Sequence, residues 1–384
     1  MAHILDKPTL LQRLFAFFEG FDLSLISAVG VLALIGLINM YSVASGYDWR
    51  FTDHLRNIVI AGVIMFSVAQ IPPQRLITLA VPMYTVGVAL LVAVALFGLT
   101  KKGARRWVNL GVVIQPSEIL KIAMPLMLAW WFQKREGQLR SLDFFVATLL
   151  LAIPVGLIVR QPDLGTAILV LSGGLYVIFF AGLRWRWIVP PLVIGLVSVI
   201  LLLIFEDHLC ADDVNWVVLH EYQRQRICTL LDPSNDPLGK GFHILQGMIA
   251  IGSGGIFGKG YFQGTQTHLE FIPERTTDFI FAAFSEEFGF LGGLVLISAF
   301  GFLILRGLAI ALAAPTLFTR LLGGAITMIF FTYAFVNMGM VTGMLPVVGV
   351  PLPFISYGGT AMVTLGLGVG ILLSIAKAKR LVQT

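Results

Sequence analysis

Charge is what this sequence has least of. Only 12% of its 384 residues are Asp, Glu, Lys or Arg, against roughly 25% in an ordinary soluble domain. So few charges cannot coat a water-facing surface of this size, which excludes a soluble fold and leaves lipid as the solvent. Cysteine is nearly absent, at two residues. No zinc-type Cys/His spacing, no phosphate-binding P-loop and no dinucleotide fingerprint occurs. Groove-reading and base-stacking motifs are missing too, so the net charge of +5 reads as membrane topology and not as nucleic-acid binding. No low-complexity tract or internal repeat marks a second unit, and residues 1–384 read as a single membrane domain. Nothing reads as a cleaved leader, because the first apolar run, 22–45, is long enough to span.

What is present is apolar sequence in long runs, with 57% of residues hydrophobic. A spanning helix takes about 20 such residues. The runs 22–45, 56–71, 76–99, 115–133, 143–160, 164–182, 187–205, 280–305, 319–344 and 357–376 predict an all-α polytopic membrane protein of about ten transmembrane helices. The second run is the shortest and predicts a thin or tilted span. An inner N-terminus places Lys134, Arg135 and Arg140, then Arg184 and Arg186, then Lys377, Lys379 and Arg380 on the inner side, and returns the C-terminus there as well. One basic cluster disobeys: Lys101, Lys102, Arg105 and Arg106 fall outside. An anionic ligand would account for it, and so would a lipid-headgroup anchor or internal ion pairs.

The longest loop, 206–279, joins the seventh and eighth helices on the outer side. Its Gly-rich turns alternate with apolar stretches such as 244–251, which predict short helices at the membrane interface. Cys210 and Cys228 both lie in it. An oxidising outer face permits a disulfide between them; two small buried apolar residues is the other reading. His208, His220 and His243 are scattered and read as ordinary loop residues.

Three groups carry chemistry. Glu118 and Lys121, at i,i+3 on the helix opened by Gln115-Pro116-Ser117, share one face, and Asp163 lies at the end of the next helix pair. Charges near hydrocarbon cost several kcal/mol unless paired. Either Lys121 is neutralised by Glu118 and Asp163 to hold helices in register, or the three act directly. The second group is Pro273-Glu274-Arg275-Thr276-Thr277-Asp278, just before a spanning helix. Asp278 reads either as a plain N-cap or as a base, pressed against Phe279-Ile280-Phe281, whose pKa rises towards a general base's range. Glu274 and Arg275 beside it are candidate substrate contacts, and Glu286 and Glu287 follow in the same helix. The third is Gly349-Val350-Pro351-Leu352-Pro353-Phe354-Ile355-Ser356-Tyr357-Gly358-Gly359, where two prolines break helix at the outer face. Such backbone is tolerated at membrane depth only where it is buried or lines a cavity.

From Asp22 to Arg380 the chain resembles the shape, elongation, division and sporulation (SEDS) family. The carriers are Gly103-Ala104-Arg105-Arg106-Trp107, Gln115-Pro116-Ser117-Glu118, Gln161-Pro162-Asp163-Leu164-Gly165-Thr166, Tyr222-Gln223-Arg224-Gln225-Arg226, Ile249-Ala250-Ile251-Gly252, the Pro273–Phe279 stretch and Pro353-Phe354-Ile355-Ser356-Tyr357-Gly358-Gly359. The Pro-Glu-Arg arginine and the lack of a long N-terminal extension favour the elongation branch over the division branch. The resemblance implies a ten-helix fold in the bacterial inner membrane, its active site facing outwards. It implies a peptidoglycan glycosyltransferase that polymerises lipid II and releases undecaprenyl pyrophosphate, in complex with a class B penicillin-binding protein. It makes Asp278 the essential outer-loop aspartate, and Glu118, Lys121 and Asp163 the buried polar cluster. Two positions depart from the family: Thr276 stands where His is usual, and Met248 where Lys is frequent.

The implied reaction needs a base for the acceptor hydroxyl and cations for the leaving pyrophosphate. Asp278 suits the first role, and Arg105 and Arg106, with forked planar donors, suit the second. No metal ligand set is visible; a divalent cation such as Mg²⁺ or Mn²⁺ is the one cofactor this chemistry leaves open. Two rivals remain: a transporter that flips the same lipid along the deep polar cluster, and a non-catalytic scaffold for the penicillin-binding protein. An enzyme needs the loop around Asp278, a flippase needs the deep cluster more, and for a scaffold Asp278 is dispensable.

Overall fold

The computed structural model describes residues 20–45, 48–101, 104–109, 113–210, 221–233, 239–272 and 274–383. Lys102, Gly103, His220 and Pro273 lie outside the described residues, as do the side chains of Lys101, Arg105, Lys379 and Arg380. Every predicted span falls on a helix: α1 (Leu23–Val43), α2 (Asp48–Ala69), α3 (Pro73–Phe97), α4 (Pro116–Gln133), α5 (Ser141–Arg160), α6 (Leu164–Phe180), α7 (Trp185–Ile204), then α12 (Ile280–Leu312), α13 (Leu317–Val341) and α14 (Gly359–Gln383). Among the described residues, eight of these are long and apolar enough to cross a membrane; α4 and α6, of 18 and 17 residues, are interleaved with them. Large apolar side chains such as Leu23, Phe97, Trp185 and Leu312 stand exposed on the helix exteriors, the arrangement that lipid stabilises and water would not. The chain is a multi-pass membrane protein.

Two features differ from the sequence reading. The short second span begins at Asp48, so α2 is of full length; its first turns carry Arg50, Asp53, His54 and Arg56, which hydropathy does not count as membrane. The basic stretch 99–114 is a small antiparallel sheet, order β1-β2-β3, of Leu99–Lys101, Ala104–Asn109 and Val113–Ile114, an element that an all-helical reading passes over. Its β-branched residues Thr100, Val108, Val113 and Ile114 suit pleated backbone.

Helix α13 is the axis of the bundle, with 78% of its apolar window buried, whereas α7 at the periphery buries none of its window. Asp22 caps α1 by accepting from the Leu25 amide (2.9 Å) and receives the Arg306 guanidinium through both carboxylate oxygens. This ties the start of α1 to the far part of α12, at the end of the bundle away from the candidate site.

The long loop is not a surface excursion. It contains α8 (Glu206–Leu209), α9 (Glu221–Leu231), α10 (Lys240–Ser253) and α11 (Thr265–His268). Cys210 and Cys228 form a disulfide, Cα–Cα 5.7 Å, which ties the end of α8 to α9. Residues Gly255 to Gly260 lay their backbone along a break in α12 at Gly289: Lys259 and Gly260 donate to the carbonyls of Glu286 and Glu287, and Phe290 and Leu291 donate to Gly255 and Ile256. The loop thus satisfies backbone groups that the break would orphan.

Candidate active site

The site is built around one connection, residues 342–358, between α13 and α14. Several segments converge on it or on the turn packed against it. From α6, Gly165 packs so closely that a Cβ there would come 2.7 Å from the Val348 carbonyl. From α9, Arg226 donates to the Val347 carbonyl at 2.8 Å. From the turn 274–279, Thr277 accepts from the Ser356 hydroxyl (2.7 Å) and Thr276 from the Tyr357 amide (2.8 Å), both through backbone carbonyls. From α2, Arg50 donates to the Thr276 hydroxyl at 2.7 Å. The prolines of this connection prevent it from becoming helix, and side chains from elsewhere satisfy the freed carbonyls.

Asp278 sits where these contacts meet. Phe279, not Asp278, is the N-cap of α12, so the plain capping role does not apply. Phe279 is 1% exposed, with its ring beside His243 of α10 (centroids 6.0 Å) and against Gly247. His243 is therefore a helical residue that packs beside the site, not an ordinary loop histidine. The buried Phe279 fixes the backbone and leaves the Asp278 side chain partly exposed. The position of a Cβ on Gly349 lies 3.3 Å from Asp278 Oδ2. Tyr357 stands at the rim: its hydroxyl reaches Asp53 Oδ2 (3.4 Å), and burial, then the Asp53 charge, raise its pKa above 10.0, which keeps it a neutral donor.

The other sequence candidates have definite places. Glu274 is exposed and accepts from Thr277 Oγ1 at 2.8 Å. Arg275 is 6% exposed, with its guanidinium on the Val43 carbonyl (3.2 Å) and Glu270 (3.1 Å); it braces the turn against the end of α1. Arg106 donates to the carbonyls of Gln161 and Pro162 and stands 4.0 Å from Asp163, so it secures the end of α5 while part of its side chain stays accessible.

The deep trio divides. Lys121 donates to Glu118 (2.6 Å) and to the Tyr333 hydroxyl (2.8 Å), and Thr364 donates to the second Glu118 oxygen (3.2 Å). Asp163 instead caps α6 through the Thr166 amide (3.2 Å) and accepts from Gln115 (2.8 Å). Lys121 and Asp163 thus belong to two neighbouring networks, because Asp163 is occupied by the helix start it caps. Glu286 and Glu287 are 0% and 1% exposed. Lys259, Thr265 and the Gln266 amide satisfy the first; Ser42 donates to the second, with His268 3.5 Å away. They lock the loop into the α12 break and stand outside the Asp278 site. Sequence reasoning missed Arg50, Tyr333 and Asn337, whose only signal is a polar residue in or beside an apolar run. Among the described residues no group of three or more His, Cys, Asp or Glu could hold a metal ion.

Residues 21–381 match the FtsW/RodA/SpoVE cell cycle protein family. The chain is 46% identical over 342 residues to the peptidoglycan glycosyltransferase MrdB of Escherichia coli strain K12, covering 88% of this chain and 89% of that protein. It is 35% identical to the stage V sporulation protein E of Bacillus subtilis strain 168, over 94% of this chain and 98% of that one. Among solved structures it is similar to a chain of a peptidoglycan synthase complex described as coordinating polymerization and crosslinking (TM-score 0.76, 31% identity, 94% and 98% covered). It is also similar to the rod shape determining protein RodA of Thermus thermophilus (TM-score 0.68, 28% identity, 94% and 97% covered).

Proposed function

Since the chain belongs to the FtsW/RodA/SpoVE family and is thereby a peptidoglycan glycosyltransferase, we propose that it polymerises lipid II at the Asp278 site, on the outer face of the bacterial inner membrane, during cell elongation. The observation that carries this is the placement of Asp278: a partly exposed carboxylate on a turn held by α2, α13 and the 342–358 connection. Such a group is rigid enough to meet a reacting hydroxyl in one geometry. The acceptor sugar hydroxyl loses its proton to Asp278 as its oxygen bonds to the anomeric carbon of the donor. The bond from that carbon to the lipid pyrophosphate breaks, and the pyrophosphate leaves with the electron pair. A single displacement inverts the anomeric centre and needs no covalent intermediate. Pyrophosphate is stable as an anion, so the leaving group asks for cations more than for an acid.

Arg105 and Arg106 are the cations we assign to it, Arg106 while anchored on the end of α5. Glu274, exposed on the Asp278 turn, is assigned to sugar or peptide contact; Arg275 serves the same surface indirectly, by holding the turn. A divalent cation, where one is required, would arrive with the pyrophosphate. A class B penicillin-binding protein is the proposed partner. The N-in, C-in orientation is supported by the helix alternation, which gathers Lys134 to Arg140, Arg184, Arg320 and Lys377 at the end of the bundle opposite Asp278.

The test is polymerisation of lipid II by the purified full-length protein, with and without the penicillin-binding protein. Glycan strands from the wild type and none from a folded Asp278→Asn variant are expected. Equal strands from both would remove Asp278 as the base. Lipid II translocation in vesicles that survives Asp278→Asn and is lost on Lys121→Met would favour a flippase.

A further inference from the structure

Asn337 is fully buried in α13, the most buried helix of the bundle. Its amide nitrogen donates to the carbonyl of Asp278 at 3.0 Å and to the carbonyl of Val350 at 2.7 Å. Its side-chain oxygen has no hydrogen-bond partner among the described residues, so the two carbonyls alone set the amide's orientation; a flip would place oxygen against oxygen. One side chain thus spans the two backbone segments that bracket the Asp278 carboxylate: the residue's own peptide, and the residue after Gly349. Four residues earlier, on the same helix face, Tyr333 accepts from Lys121.

We propose that Asn337 is a positioning residue for Asp278, acting from a face of α13 that it shares with Tyr333, so that the Glu118–Lys121 pair and the Asp278 turn are held by one rigid element. Through this face, a shift of α13 along its axis moves the Asp278 turn and the Lys121 contact together, although the two lie on segments far apart in the chain. The inference rests on Asp278 being the reacting carboxylate.

The experiment uses the full-length protein in liposomes with lipid II, comparing wild type, Asp278→Asn, Asn337→Leu, Tyr333→Phe and the Asn337→Leu/Tyr333→Phe double variant. Loss of alignment by about an ångström costs on the order of 100-fold in rate. Asn337→Leu is therefore expected to lower kcat by that order, with the apparent KM for lipid II little changed and the pH midpoint of kcat displaced. Residues coupled through one element are non-additive, so the double variant should be no slower than the slower single variant. A kcat per folded molecule and a pH midpoint equal to wild type would overturn the positioning role. Strictly multiplicative losses would overturn the link to Tyr333. If Asn337→Leu does not fold, Asn337→Ser, too short to reach both carbonyls, decides in its place. Amide hydrogen exchange over 274–280 gives a readout independent of activity. It should rise in the Asn337 variant and not in Asp278→Asn, and unchanged exchange there overturns the inference whatever the rates. Failure of wild type to polymerise, with exchange rising as expected, would sink the reading of the reaction and leave the contact intact.

Discussion

The carboxylate of Asp278 faces a residue with no side chain: a Cβ at Gly349 would lie 3.3 Å from Oδ2. Gly349 also holds φ at +76°, a backbone conformation that costs an L-residue roughly 1–2 kcal/mol. Gly349→Ala is thus expected to act twice, by straining the connection and by crowding the carboxylate. Polymer yield per folded molecule should fall by at least about 10-fold, while the melting temperature falls only slightly. Unchanged turnover would mean that the carboxylate does not work from this position.

The two arginines of the β-hairpin separate by readout. Arg106 holds the carbonyls of Gln161 and Pro162, and a hydrogen bond from a charged group contributes roughly 1.5–3 kcal/mol. Arg106→Ala should lower the melting temperature and raise the apparent KM together. Arg105→Ala should raise KM for the lipid pyrophosphate substrate more than it shifts the melting temperature. Substrate titrations beside thermal melts check both, and a flat KM in the two variants would leave the hairpin as an anchor.

Lys121 and Glu118 are nearly buried, 3% and 14% exposed. Removing one partner of such a pair costs about 3–5 kcal/mol, because the other charge is stranded. Lys121→Met and Glu118→Gln singly should therefore be more damaging than their effects in combination, and the double variant should recover part of the stability. Asp163→Asn should act additively with either, since its partners, Gln115, the Thr166 amide and Arg106, are not those of Lys121 or Glu118. A double-mutant cycle read by melting temperature decides, and full additivity of Lys121 with Glu118 would dissolve the pair.

The disulfide joins residues 18 positions apart in the chain, a loop length for which the entropic gain is about 3 kcal/mol. Cys228→Ser should lower thermal stability and loosen α9, from which Arg226 reaches the Val347 carbonyl. Activity should fall with reductant in the wild type and not in the variant. Non-reducing peptide mapping that finds two free thiols in protein matured in the cell would end this prediction.

Tyr357 supplies the pH prediction. Its folded pKa is raised, so its contribution is fully present below the ordinary phenol value of 10.0 and is lost as pH rises through the higher folded value. Melting curves of wild type and Tyr357→Phe should differ at neutral pH and converge in strong alkali. A difference that instead widened with pH would have the wrong sign for a neutral phenol beside Asp53.

The amino-acid sequence alone identifies lipid as the solvent and locates the long apolar helices. Transfer to lipid is decided locally, by each run of about 20 apolar residues, whatever its neighbours do. It also showed that Asp278, Glu118, Lys121 and Asp163 were out of place in such a chain, because a charge beside hydrocarbon is conspicuous without a structure. The helix start at Asp48 was hidden because the first turns of α2 carry Asp48, Arg50, Asp53, His54 and Arg56, polar residues that break the apolar run. The partition of the deep trio was decided only in three dimensions, where the Thr166 amide claims Asp163 and the Tyr333 hydroxyl, 212 residues along the chain, claims Lys121. So was the hub at 342–358. Its bonds run from Ser356 to Thr277 and from Asn337 to Asp278, side chain to backbone carbonyl. A carbonyl is the same at every residue, so such contacts leave no residue-type signature in sequence and exist only once the helices have packed.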